Sequence, residues 1–282
     1  MATGFGIDQD QGLSEADELR LVRSAADLGY ESAWTNSGAD AGAFDRCLHW
    51  HEASGLPVGI SAVPASGRPA SFYAQHARRL WDATNGRLTL VVGSGLLPRP
   101  AQTMPSYLTD LRQQLPGAMP LYVAALGPLM LRVAAQLADG VALNWCSAEW
   151  VEWSRHKLAS AGLDRPMPRV IEYIRTAVDP DAELARGRVA ATVLRYALGM
   201  PAYRRHFERM GFAQELRRIE ADGAPSPAFV SAIGAAGLPG ETRQRFERLA
   251  TGLDLPIVRI LVARPGDVES ARRVLEECRP IR

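Results

Sequence analysis

Lysine is almost missing from this chain. Of its 32 basic residues only Lys157 is a lysine, and the rest are arginine. Lys157 falls inside the helical stretch WSRHKLAS rather than at a strand end, which argues against a Schiff-base mechanism. Cysteine is also scarce: Cys47, Cys146 and Cys278 are far apart and odd in number. Without a CxxC or Cys/His spacing there is no case for a disulfide framework or a structural zinc, and no metal site is expected. Net charge is nearly absent, at +1, which gives no reason to expect nucleic acid or an anionic membrane as partner. No apolar run is long enough to span a bilayer, and the first residues lack a basic, then apolar, leader pattern. A soluble cytoplasmic protein acting on a small molecule is the expectation.

What the chain does have is a hydrophobic content of 47% over 282 residues, enough for one large α/β domain. Short apolar runs alternate with amphipathic helical stretches, the signature of repeated βα units. The expected strands are 4–7, 31–35, 56–63, 88–92, 121–125, 141–143, 169–178 and 256–263. The run 88–92, LTLVV, is almost wholly apolar, as a strand buried on both faces requires. Helix signals separate the strands: Ser14 as a cap before acidic residues, Gly29 and Gly55 as stops, and Pro69 as an opener. A Pro-rich link leads to a short helix over 106–115. The stretch 182–252 is helical, Arg-rich and without a clear strand. It reads as an enlarged insertion that covers one end of the molecule. Eight strands with helices between them predict a single compact (β/α)8 barrel of the TIM type over 1–282. An open doubly wound sheet is disfavoured because no GxGxxG follows the first strand.

Three ordered blocks carry a family resemblance. LGYESAWTN (Leu28–Asn36) resembles the second-strand entry of the luciferase-like oxidoreductases. The block from Leu56 to Gly95, with its PAS…GR…VVGSG wording, resembles their third strand, third helix and fourth strand. MPLYVAALGPLMLRVAAQLADGVALNW (Met119–Trp145) is similar to the branch that uses coenzyme F420, the methylenetetrahydromethanopterin reductase-like enzymes. The resemblance implies a barrel that binds reduced flavin or deazaflavin at the carboxyl ends of its strands.

Candidate site residues follow. Ala125, Leu126 and Gly127 precede Pro128, a favourable first helical residue, so free amides and the helix dipole would face an anion. On spacing alone an ordinary strand-to-helix turn is the favoured reading; the resemblance makes that anion the cofactor phosphate. Gly93, Ser94 and Gly95 close strand four, where missing Cβ atoms leave room for a flat ring. Ser61 and Ala62 stand where relatives carry a cis peptide; a regular strand is the competing expectation. Asn144 could contact phosphate or ring edge, or simply cap a helix. Cys146 reads as a buried small hydrophobe, with no His beside it in sequence. Asn36 and Glu172 are the candidates for catalysis. Glu172 and Arg175 have opposite parity in their strand, so at most one can face the interior, and Glu172 is the one expected to do so. Asp8 lies at the end of the first strand.

Two departures from the family qualify this. Where many members carry a His after strand two, this chain has Thr35-Asn36-Ser37, and Asn36 cannot act as an acid. The segment between strands four and five is short, which leaves an open pocket unless 182–252 covers it. Open pockets expose reactive oxygen intermediates to water, and a deazaflavin tolerates this better, which tips the expectation from FMN to coenzyme F420. The expected function is F420-dependent hydride transfer; the alternatives are an FMN-dependent monooxygenase or a non-catalytic flavin-binding member. A homodimer is expected from relatives, with Phe44, Leu48 and Trp50 of helix two as a surface.

Overall fold

The computed structural model describes residues 2–161 and 165–281. The first half alternates strictly: β1 (Gly4–Ile7), α1 (Glu15–Asp27), β2 (Ser32–Thr35), α2 (Gly42–Ser54), β3 (Val58–Pro64), α3 (Ala70–Ala83), β4 (Leu88–Gly93) and α4 (Pro100–Gln114). β5 (Leu121–Ala124), α5 (Pro128–Leu137), β6 (Gly140–Asn144), α6 (Ala148–Ala159) and β7 (Arg169–Val178) continue it. A helical stretch follows: α7 (Ala182–Gly199), α8 (Pro201–Phe207), a π-turn at Glu208–Phe212, α9 (Ala213–Asp222) and α10 (Pro227–Ile233). Then come β8 (Ala235–Gly237), α11 (Glu241–Leu249), β9 (Leu255–Ile260) and α12 (Val268–Glu277). Side-chain caps set several helix starts. Ser14 accepts from the Asp17 amide, Asp181 from Glu183 and Leu184, and Asp267 from Ser270.

All pairings are parallel, in the order β6-β5-β4-β3-β2-β1-β9-β7-β8, and β6 also pairs with β7. That extra pairing closes β1–β7 and β9 into the expected eight-stranded barrel, with helices outside. Two details differ from expectation. The 182–252 insertion does contain a strand: β8 pairs with the last residues of β7, Thr176–Val178, after the first part of β7 has paired with β9. Ten residues of β7 are long enough to serve both, and a three-residue Ala-Ala-Gly run is too short to show alternation in sequence. Helix α4 starts at Pro100 rather than 106, because a proline is tolerated in a helix's first turn; Pro105 lies further inside it.

The barrel interior is a packed floor. Trp34, Val91, Tyr122, Ala142, Ile171, Tyr173 and Ile257 form one buried cluster there, separate from the larger core between strands and helices. Its large rings sit on glycines. A Cβ at Gly59 would come within 2.1 Å of the Trp34 indole, and one at Gly140 within 2.5 Å of the Tyr122 ring. Trp34 meets Tyr173 edge to face at 5.9 Å. Phe44 and Trp50 face the outer core at 3% and 1% exposure, so α2 does not offer them as a dimer surface. No helix among the described residues is long and apolar enough to cross a membrane.

Gly59→Ala is expected to lower stability by about 1–3 kcal/mol through overpacking against Trp34. Gly187→Ala, exposed within α7 with open space around it, is expected to raise stability by about 0.5–1 kcal/mol. Urea unfolding of both variants checks the pair.

Candidate functional site

Above the floor, at the carboxyl ends of the strands, the interior opens. Ala62, Gly93, Ala124 and Asn144 face the barrel's inside and are each only partly buried. A Cβ at Gly93 would sit 3.4 Å from Ala62 Cβ and 3.7 Å from Ala124 Cβ, so three adjacent strands meet at small residues. The result is a shelf without side chains on the β3–β5 wall, the shape a flat ring needs. The Ser61–Ala62 peptide is cis, and the β3–β4 register shifts between Ile60 and Val63. Gly93, Ser94 and Gly95 do stand at this end. Gly95 has a left-handed φ of 57°, and a Cβ there would come within 2.3 Å of Ser66 Oγ, so the turn itself accounts for its glycine.

Next to the shelf, α5 begins. Gly127 is its capping residue, Pro128 its first helical residue, and no side chain caps it. Its first-turn amides therefore have no partner within the helix. Arg209, from the π-turn of the insertion, stands over this end: its Nη1 is 2.9 Å from where a Gly127 Cβ would be. Arg209 is exposed and has no hydrogen bond or ion pair among the described residues. A helix N-terminus and a free guanidinium thus converge on one spot. Leu126 belongs to the same turn, and its carbonyl lies 3.0 Å from His206 Nδ1. Ala125 does not line the mouth. It is 1% exposed in the outer core, because Ala124 before it takes the inward parity.

The insertion covers the β6–β7 side. Asn144 Nδ2 donates to the Tyr203 hydroxyl, and Asn144 Oδ1 accepts from Arg175 Nη1. Tyr196 reaches Arg175 from α7 and meets Tyr203 edge to face at 4.6 Å. Arg175 is the inward residue of β7, in step with Ile171 and Tyr173. Glu172 is therefore not in the mouth, against expectation. It shares the outward face with Val170 and Ile174, and its Oε1 accepts from the Cys146 amide at 2.7 Å. Burial pushes the Glu172 carboxyl up to about 8, against the pull of that amide and of Arg175.

Across the mouth, Asp8 of the β1 end pairs with Arg259 of β9. Asn36 reaches the rim, but its Oδ1 accepts from the Gln9 amide at 3.2 Å, a bond that fixes the β1 loop. Among the described residues no His/Cys/Asp/Glu group could hold a metal ion. A separate groove of about 260 Å³ between α1 and α2 lies in the helical layer; its Glu18 and Arg46 are paired with each other.

Sequence reasoning missed Arg259, Tyr196, Tyr203 and Arg209. An arginine inside the apolar run PIVRILV was a signal for Arg259, since a charge there needs a partner. The other three come from an insertion whose docking no local pattern encodes. Cys146 does have a histidine neighbour in space, since His206 Nε2 lies 3.7 Å from its Sγ. Burial raises the Cys146 thiol well above its usual range and lowers His206 to about 4, so both are neutral at pH 7. A neutral imidazole carries one N–H, so it donates to one of the two carbonyls it faces, Leu126 from Nδ1 at 3.0 Å or Trp145 from Nε2 at 3.2 Å. His206 is thus a strut between the insertion and the Leu126–Gly127 turn.

A family model described as luciferase-like monooxygenase matches residues 96–250. A 5,10-methylenetetrahydromethanopterin reductase from Archaeoglobus fulgidus is 34% identical over 90 residues, a stretch covering 30% of this chain and 27% of that relative's length. Among solved structures, the coenzyme F420 dependent tetrahydromethanopterin reductase from Methanopyrus kandleri has a TM-score of 0.74 at 18% identity, covering 98% of each chain. The oxygenating constituent of 3,6-diketocamphane monooxygenase from Pseudomonas putida, in complex with FMN, has a TM-score of 0.64 at 12% identity, covering 99% of this chain and 96% of that one. At these identities the structural likeness speaks for the fold.

The depressed His206 pKa makes the folded state bind fewer protons than the unfolded one between about pH 6.5 and 4. Its contribution is present above that window and is lost as pH falls through it. Wild type is expected to exceed His206→Gln in urea-unfolding stability at pH 7, and the gap should shrink towards pH 4.

Proposed function

The chain belongs to the luciferase-like monooxygenase family, and on that footing we propose that it is an oxidoreductase using coenzyme F420 for hydride transfer to or from a small organic substrate. One observation carries this reading: the Ala62–Gly93–Ala124 shelf and the α5 N-terminus with Arg209 lie side by side, at the same end of the barrel. When bound, the deazaflavin ring supplies a two-electron hydride donor or acceptor. The chain's own residues do the rest. The shelf takes the ring face, the Gly127 turn and Arg209 take the anionic tail, and Tyr196 and Tyr203 close the β6–β7 side against water. Asn144 and Arg175 are positioned to orient what lies between.

F420 is favoured over FMN by the resemblance of Met119–Trp145 to the branch that uses it and by the mouth's partial exposure on the β3–β5 side, where oxygen intermediates would meet water. The same shelf and tail site would also take FMN, a cofactor that the 3,6-diketocamphane monooxygenase neighbour binds, so an FMN-dependent monooxygenase is the second reading. The protein is proposed to work without an acid after β2, because Asn36 offers none.

Titration with oxidised F420 and with FMN is expected to give F420 a micromolar Kd and the tighter binding of the two. Arg209→Ala should weaken F420 by about tenfold to a hundredfold, the worth of a charged hydrogen bond. Gly93→Val should abolish saturable binding while leaving the unfolding midpoint close to wild type. Failure of both cofactors to bind, or an Arg209→Ala variant that binds like wild type, would contradict the reading.

A further inference from the structure

The wall facing the shelf carries more positive than negative charge. Arg175 on β7 and Arg259 on β9 are 4% and 2% exposed. Arg259 is paired with Asp8, yet its Nε and Nη1 have no hydrogen-bond partner among the described residues. Arg175 has no carboxylate partner among the described residues. It donates to Asn144 Oδ1, to the Tyr173 carbonyl at 3.2 Å and to the Tyr196 hydroxyl at 3.4 Å, and its Nε is unpartnered. Trp145 and Tyr173 lie against the guanidinium faces, at 4.8 Å from Arg175 and 4.9 Å from Arg259. Glu172, the acid of the same strand, is on the other face of β7 with its carboxyl on the Cys146 amide. Among the described residues, of two buried guanidiniums only Arg259 has an ion-paired carboxylate, while Glu172 feels Arg175 without contacting it.

A buried charge left without an opposite charge is costly, and unpaired guanidinium N–H groups add to that cost. An anion between Arg175 and Arg259 would remove both costs. β7, β9 and β1 lie across the barrel from β3, β4 and β5, so this anion would face the shelf rather than lie along the tail. One surplus positive charge matches a monoanion; a phosphate monoester would bring a second charge with nothing to meet it. We propose that the substrate is a small monocarboxylate, its carboxylate held by Arg175 and Arg259 and its reacting carbon turned to the shelf. Only the direction of the reacting carbon rests on the proposed cofactor site; the carboxylate site stands without it.

Calorimetric titration with carboxylate and amide pairs of rising size, acetate and acetamide up to benzoate and benzamide, tests this. Phenyl phosphate serves as the dianion, and each run is made with and without F420. At least one carboxylate is expected to bind wild type tenfold or more tightly than its amide and than phenyl phosphate. Arg175→Gln should lose that preference, and Arg175→Lys should recover part of it, which a mere folding defect would not allow. Carboxylate preference without F420 binding leaves this inference standing while the cofactor reading falls. F420 binding with no carboxylate preference at any size overturns the inference alone. So does a preference that survives in Arg175→Gln, tighter binding of phenyl phosphate, or an Arg175→Gln variant that loses F420 affinity and keeps the carboxylate.

Discussion

The indole of Trp34 fills the centre of the barrel, and the depth of the mouth depends on it. The ring lies in space that Gly59 and Gly4 leave empty, hydrogen-bonds Ser32 Oγ at 2.8 Å, and meets Tyr173 at its edge. Tyr122 does the same over Gly140. With the lower barrel filled this way, every inward residue above it belongs to a shallow opening and not to a pore. Side-chain alternation then decides what lines that opening. On β3, β4 and β5 the next inward positions are small; on β7 and β9 they are arginines.

The opening thus has an uncharged, side-chain-poor wall and a charged wall. The first suits the face of a flat ring, and the second suits a charged ligand. The insertion between β7 and β9 joins the two functions. It sends Tyr196 and Tyr203 over Asn144 and Arg175, and Arg209 over the Gly127 turn, with His206 tying it to Leu126.

Much of the fold was legible because βα repetition writes itself locally: apolar runs, caps such as Ser14 and stops such as Gly55 each act within a few residues. β7 was read to its ends, since ten residues of unbroken strand character leave little choice. β8 was not, because three small residues form a strand only when β7 already offers an edge. Of the candidate site, the Gly93 and Gly127 stretches were legible as strand-end turns from glycine and proline placement, and only the family resemblance made them cofactor candidates. The choice between Glu172 and Arg175 was not legible, since parity says that they oppose each other but not which faces in. Neighbouring Tyr173 settles it by belonging to the floor. Ala125 failed for the same reason, one residue out of step with Ala124. Tyr203 lies 59 residues beyond the Asn144 it covers and Arg209 lies 82 beyond Gly127, and only tertiary docking brings them there.

The central claim is that one ligand spans the shelf and the α5 N-terminus. A crystal structure of the chain with bound F420 tests it most directly. The ring should lie against Ala62, Gly93 and Ala124, with the phosphate within hydrogen-bond reach of the Gly127 turn and Arg209. Density for the ring or the phosphate at any other place on the molecule would contradict it.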